Sequence, residues 1–142
     1  MRAIISILLF AAFSCTASGQ QQNQKENTQN TQTMNLDQIT NEKVKSAIQA
    51  LQDNDLKAWK SHFTDDAVFT DDGNEKDFDA FFENAFNHKE KFLTIDKVED
   101  GGKHLAGDFY AGQWGTFHVF FKFHENGDGK FNRVDIGQTS KL

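Results

Sequence analysis

The stretch from Ala47 to Phe69, AIQALQDNDLKAWKSHFTDDAVF, carries the signals that decide the fold. Val44, Ala47, Ile48 and Leu51 fall at i, i+3, i+4 and i+7, one face of an amphipathic helix over roughly 37–52. Asp53-Asn54-Asp55 breaks it, and Asp55 has the chemistry to cap a second, short helix. Leu56, Trp59 and Phe63 form that helix's buried stripe. Thr64-Asp65-Asp66 is expected to end it. Ala67 to Thr70 then reads as a short strand closed by Asp71-Asp72-Gly73.

Working outward, Asn74 is expected to cap a third helix over about 75–88. There Phe78, Phe81, Phe82 and Ala85 repeat the same apolar spacing, with Phe86 beside them. Glu75, Asp77 and Asp79 near its start and His88, Lys89 and Lys91 near its end complement the helix dipole. After that the pattern becomes β. Phe92–Glu99 and Lys103–Tyr110 read as two strands joined by the hairpin turn Asp100-Gly101-Gly102, with a bulge or bend at Gly107. Thr116–His124 alternates strongly, with Phe117, Val119, Phe121 and Phe123 on one face. Residues 125–129 form a turn, and Phe131–Gln138 is the last strand. Helices first and a meander afterwards predict an α+β domain with three helices on one face of a curved antiparallel sheet.

The first thirty-four residues read differently. Ala3 to Phe13 is an unbroken apolar run behind Arg2, too short to span a bilayer and of the length of a signal segment, assigned here to residues 1–19. Two cleavage sites compete: Ala17-Ser18-Gly19, which would release Gln20, and Ala12-Phe13-Ser14-Cys15, which resembles a bacterial lipobox with Cys15 as the lipidated residue. Cys15 is the only cysteine, so no internal disulfide forms. Residues 20–34 are rich in Gln, Asn and Thr and read as a disordered tether. The chain from Thr16 to Met34 would reach roughly 25 Å. The expectation is an exported protein: an envelope lipoprotein or, alternatively, a periplasmic or secreted one, touching a membrane only through Cys15.

The remaining domain, residues 35–142, carries a net charge near −7 once Arg2, Lys25 and Glu26 are set aside. Such a domain is poorly suited to a phosphate backbone, so nucleic acid is not an expected partner. It keeps thirteen of the fifteen Phe with Trp59, Trp114 and Tyr110, enough aromatic surface for a core without disulfides.

The run Ala47-x-x-x-Leu51-x-x-Asn54-Asp55-x-x-x-Trp59-x-x-x-Phe63-x-x-Asp66-Ala67-Val68-Phe69 resembles the opening of the nuclear transport factor 2-like superfamily. Gly129-Lys130-Phe131 followed by Arg133-Val134-Asp135-Ile136-x-Gln138 resembles the final strand of its SnoaL-like members. The resemblance covers nearly all of residues 37–140. It implies a cone in which helices close over a curved sheet and leave a pocket. Family members use that pocket for isomerisation, dehydration, cyclisation, ligand binding or dimer contact, so fold does not give function.

In SnoaL-like enzymes an aspartate matching Asp135 acts as a pocket acid or base. His118, on the neighbouring strand, is its candidate helper. Grouping Phe117, Val119 and Phe121 with Val134 and Ile136 places His118, Phe120, Arg133 and Asp135 together on the opposite face. Trp59, Phe63, Phe78, Phe82, Tyr110 and Trp114 are the expected pocket wall. His62, His88, His104 and His124 lack metal-ligand spacing, and no nucleophile elbow, phosphate loop or cofactor motif is found. The leading expectation is a pocket binding a small apolar ligand or a protein partner, with catalysis left open. The alternatives are a ketosteroid-isomerase-like enzyme using Asp135 and a homodimer formed through the sheet face around His118 and Phe120.

Overall fold

The computed structural model describes residues 34–140. The apolar N-terminal run, Cys15 and all but the last residue of the tether lie outside the described residues. Three helices, α1 (Glu42–Gln52), α2 (Leu56–Ser61) and α3 (Phe78–Asn87), lie against seven strands: β1 (Phe63–Asp71), β2 (Asn74–Lys76), β3 (Lys91–Phe92), β4 (Lys97–Glu99), β5 (His104–Tyr110), β6 (Thr116–Glu125) and β7 (Phe131–Gln138). The strands form one curved, unclosed sheet in the order β2-β1-β7-β6-β5-β3, with β4 also on β5. The expected α+β cone is present. Its sheet is mixed rather than wholly antiparallel, because the first long strand and the last pair in parallel.

Polar residues set the helix boundaries. Helix α1 starts at Glu42, later than the apolar spacing suggests, because the Asn41 side chain accepts from the Lys43 and Val44 amides. Asn54 takes a positive φ of 56° after α1, and the Asp55 amide donates to the Ala50 carbonyl. Asp55 then caps α2, accepting from the Ala58 amide at 2.9 Å. Residues 74–76 are strand, not helix. Asp72 and Gly73 both have positive φ and close a tight hairpin, so the cap of α3 moves to Asp77, which accepts from the Ala80 amide at 2.7 Å.

Two further departures concern the strands. The turn-prone Thr64-Asp65-Asp66 lies inside β1, where the pairing jumps from Phe63↔Phe131 to Val68↔Arg133. The break signal is real, but it is spent on a bulge. The expected strand over 92–99 is split into β3 and β4. Gly107 explains the split: a Cβ there would lie 1.9 Å from the Thr94 carbonyl oxygen, so the missing side chain admits the bent segment 93–96.

The sheet's inner face packs on the helices. Phe121, Phe123, Phe131 and Val134 are almost wholly buried there with Trp59, Phe69 and Phe82. Trp59 sits at the centre, its ring 5.0 Å from Phe63, 4.9 Å from Phe82, 6.3 Å from Phe86 and 6.2 Å from Phe123. Trp59→Ala is expected to cost about 3–5 kcal/mol in urea unfolding, the range for truncating a large buried aromatic. The buried Trp59 Nε1 has no hydrogen-bond partner among the described residues. Trp59→Phe, which keeps a ring and removes that unmet donor, is expected to lose clearly less. Equal losses for the two variants would contradict this reading of the core.

Candidate functional site

The aromatic cluster fills the space under the helices near the start of β1 and the end of β6. At the other end of the same strands a hollow of about 340 Å³ remains, open to solvent. Phe81 and Asn84 of α3 form one wall, and Phe109, Phe117, Val119 and Ile136 of the inner sheet face form the other. The β5–β6 hairpin carries Trp114 over the hollow; the ring is 70% exposed. Gly112 and Gly115 allow that turn, with φ of 57° and 94°.

Two carboxylates enter the hollow by different routes. Asp71 follows from strand parity: Phe69 points in, Thr70 points out, and Asp71, paired with Ile136, points in again. Glu90 is placed by the end of α3. The Lys89 amide donates to the Phe86 carbonyl and the Glu90 amide to the Ala85 carbonyl, with Lys89 at φ 54°. This is a Schellman cap, in which the residue at the Glu90 position is commonly apolar and packs back on the helix. Here it is an acid, only 7% exposed. Gly112 makes room for it, since a Cβ at Gly112 would come within 2.9 Å of His88 Cβ and 3.4 Å of Glu90 Oε1.

Burial pushes the Glu90 carboxyl above the ordinary carboxylate range, with nearby His88 pulling weakly the other way. Burial also raises Asp71, helped by the neighbouring charge of Asp72 and opposed by Lys76. Among the described residues Glu90 makes no side-chain hydrogen bond and no ion pair. Asp72 is already engaged, accepting from the Gln138 amide at 2.8 Å. No three His, Cys, Asp or Glu side chains among the described residues are grouped to hold a metal ion.

The expected acid and helper lie elsewhere. The β6–β7 register pairs Lys122 with Asp135 and buries Phe121, Val134 and Ile136 inside, so Asp135 and His118 face outward, as the alternation implied. They do not meet. Asp135 accepts from Thr70 Oγ1 at 2.6 Å and from Arg133 Nε at 2.8 Å, and lies 2.7 Å from His124 Nε2. Partial burial alone would raise its pKa, but these hydrogen bonds and the Arg133 charge outweigh it and hold the carboxyl below its ordinary value. Such a carboxylate is a structural anchor and a poor proton carrier near neutrality. His118 is bound instead to Asp96 Oδ2 at 2.9 Å, with the Thr139 carbonyl oxygen 3.2 Å from its other ring nitrogen. A larger outer-face cleft of about 470 Å³ runs past His118, His104 and Phe120. There His118 is paired with Asp96, and His104 lies 3.6 Å from Glu99.

Of the expected pocket wall, only Trp114 lines the hollow. Trp59 and Phe82 are solid core, because their rings are surrounded by other aromatics. Phe63 and Phe78 pack edge to face and border a separate cleft beside Lys60 and Asp77. Tyr110 pairs with Thr116 on the outer face and is exposed.

No protein-family model and no curated protein matches the sequence. Solved structures do match the fold. An NTF2-like protein of unknown function from Cytophaga hutchinsonii superposes with a TM-score of 0.58 at 15% identity, covering 75% of this chain and 91% of that one. The chain has the nuclear transport factor 2-like fold. A putative polyketide cyclase from Sinorhizobium meliloti shares this NTF2-like architecture with a TM-score of 0.56 at 17% identity, covering 68% of this chain and 94% of that one. The Orange Carotenoid Protein of Anabaena, solved binding canthaxanthin, matches with a TM-score of 0.53 at 18% identity over 72% of this chain and 38% of its own.

The NTF2-like hollow therefore carries two acids that motif reading passes over. Asp71 reads as a turn residue, although counting parity from Phe69 would have aimed it inward. Glu90 gives no signal, since a charged residue just past a helix ordinarily lies in water.

The two outlying carboxyls should act oppositely on stability. The folded pKa of Glu90 is raised, so its unfavourable contribution grows as pH rises through that value. Glu90→Gln should therefore be more stable than wild type at neutral pH, with the advantage fading below about pH 4, near the ordinary glutamate value. The folded pKa of Asp135 is lowered, so Asp135→Asn should be less stable at neutral pH, the deficit closing as pH falls below about 3.9. Denaturant unfolding at several pH values reads both; a common sign for the two variants would contradict the assignment.

Proposed function

We propose that this protein binds a small, largely apolar molecule in the hollow between α3 and the inner sheet face. The observation that carries this reading is the hollow itself. A domain rich enough in phenylalanine to pack solidly leaves about 340 Å³ open beside a buried acid. That volume lies within the range of small-molecule sites, and its wall is mostly aromatic and aliphatic with a few polar groups, the usual composition of such sites. The carotenoid bound by one protein of related fold accords with an apolar occupant.

Fluorescence titration with N-phenyl-1-naphthylamine, uncharged at pH 7, tests this. Saturable enhancement is expected. Ala111→Phe, which places a ring in the hollow, should weaken it at least about tenfold, equivalent to 1.4 kcal/mol. Phe120→Ala on the outer face should leave it unchanged. Saturable binding that Ala111→Phe does not weaken, or that Phe120→Ala abolishes, would move the site out of the hollow.

We also propose that the domain works outside the cytoplasm, on the strength of the apolar run before Cys15. Mass spectrometry of the protein from its own cells should find a diacylglyceryl group on Cys15 or a free Gln20. An intact Met1 with residues 2–19 retained would refute export by either route.

A further inference from the structure

We infer that the molecule held in the hollow carries a protonated amine, seated on Glu90. The inference rests on the binding reading above and adds the charge of the ligand. Glu90 is more than nine-tenths buried, lines the hollow, and has no hydrogen bond or ion pair among the described residues. Its carboxylate has no protein partner among the described residues, and a donor bound in the hollow would supply one. Its position deepens the point, because the Schellman cap would accommodate an apolar residue there at less cost.

The surrounding charges select the donor's sign. Asp71 and Asp72 line the same hollow, and among the described residues no Lys, Arg or His does. His88 acts on Glu90 from the helix end, and Lys76 acts on Asp71 from the neighbouring strand; neither lines the hollow. An anionic ligand would meet the negative charge of all three carboxylates, whereas an ammonium group would give Glu90 a partner and suit a hollow lined by Asp71 and Asp72 as well. Among the described residues no three such side chains are grouped for a metal ion, and the apolar walls suit an organic cation. Trp114 at the mouth and Phe81, Phe109 and Phe117 within supply apolar area and ring faces suited to an aromatic amine.

The test compares two molecules of nearly one shape, 1-naphthalenemethylamine and 1-naphthalenemethanol, by calorimetric titration at pH 7. The amine is expected to bind wild type at least about tenfold more tightly than the alcohol, the worth of one charge-assisted hydrogen bond. Glu90→Gln should erase that preference while leaving the alcohol's affinity unchanged. Asp71→Asn should reduce it partly. Equal or tighter binding of the alcohol by wild type overturns the amine inference and leaves the binding reading standing. A preference that survives Glu90→Gln also overturns it. Failure of both molecules and of the neutral fluorescent probe overturns both readings together.

Discussion

Everything in this domain depends on which way the side chains of β7 point. The strand lies between β1, in parallel, and β6, antiparallel, so its parity is shared by three strands at once. Val134 and Ile136 go inward, and Asp135 goes outward to Thr70 and His124. A slip of one residue would bury the Asp135 carboxylate under the helices and expose two aliphatic side chains. The outer hydrogen-bonded node and the inner apolar face are thus two halves of one constraint. Each penalises the register that the other excludes.

That register also divides the interior lengthwise. Phe63, Phe123 and Phe131 come together where β1 and β7 begin and β6 ends, and Trp59 wedges between them and α3. At the other end the inward residues Val119, Ile136 and Asp71 are smaller or polar, and Phe81 of α3 with Phe109 and Phe117 of the sheet stand around them as walls. The cavity is where the rings line the space without filling it. Position along the strands, more than any special motif, separates core from candidate site.

Much of the architecture could be read from residue spacing. Asp55 and the stripe through Trp59 gave α2, and the alternation from Phe117 to Phe123 gave β6 and its faces. Gly107 signalled its bend. What escaped was set by contacts distant in sequence. The parallel pairing of β1 with β7 has no local signature. The strand break over 93–96 depends on what Gly107 admits from a neighbouring strand. The site was less legible than the fold for a related reason. Tyr110 and Phe82 look alike as pocket candidates until register and helix packing send one outward and the other into the core. Glu90 acquires its meaning only when the end of α3 turns its side chain inward.

The sheet's margins have a consequence for how such a β-rich chain stays apart from its neighbours. One margin is the three-residue strand Asn74-Glu75-Lys76, exposed and charged. The other is cut by the bend opposite Gly107 into pieces of two and three residues. Unpaired strand borders are templates for fibril-like stacking when they are long, flat and greasy. Here the border strands are two or three residues long, so the described domain, with thirteen phenylalanines, gives a foreign strand little length to pair with.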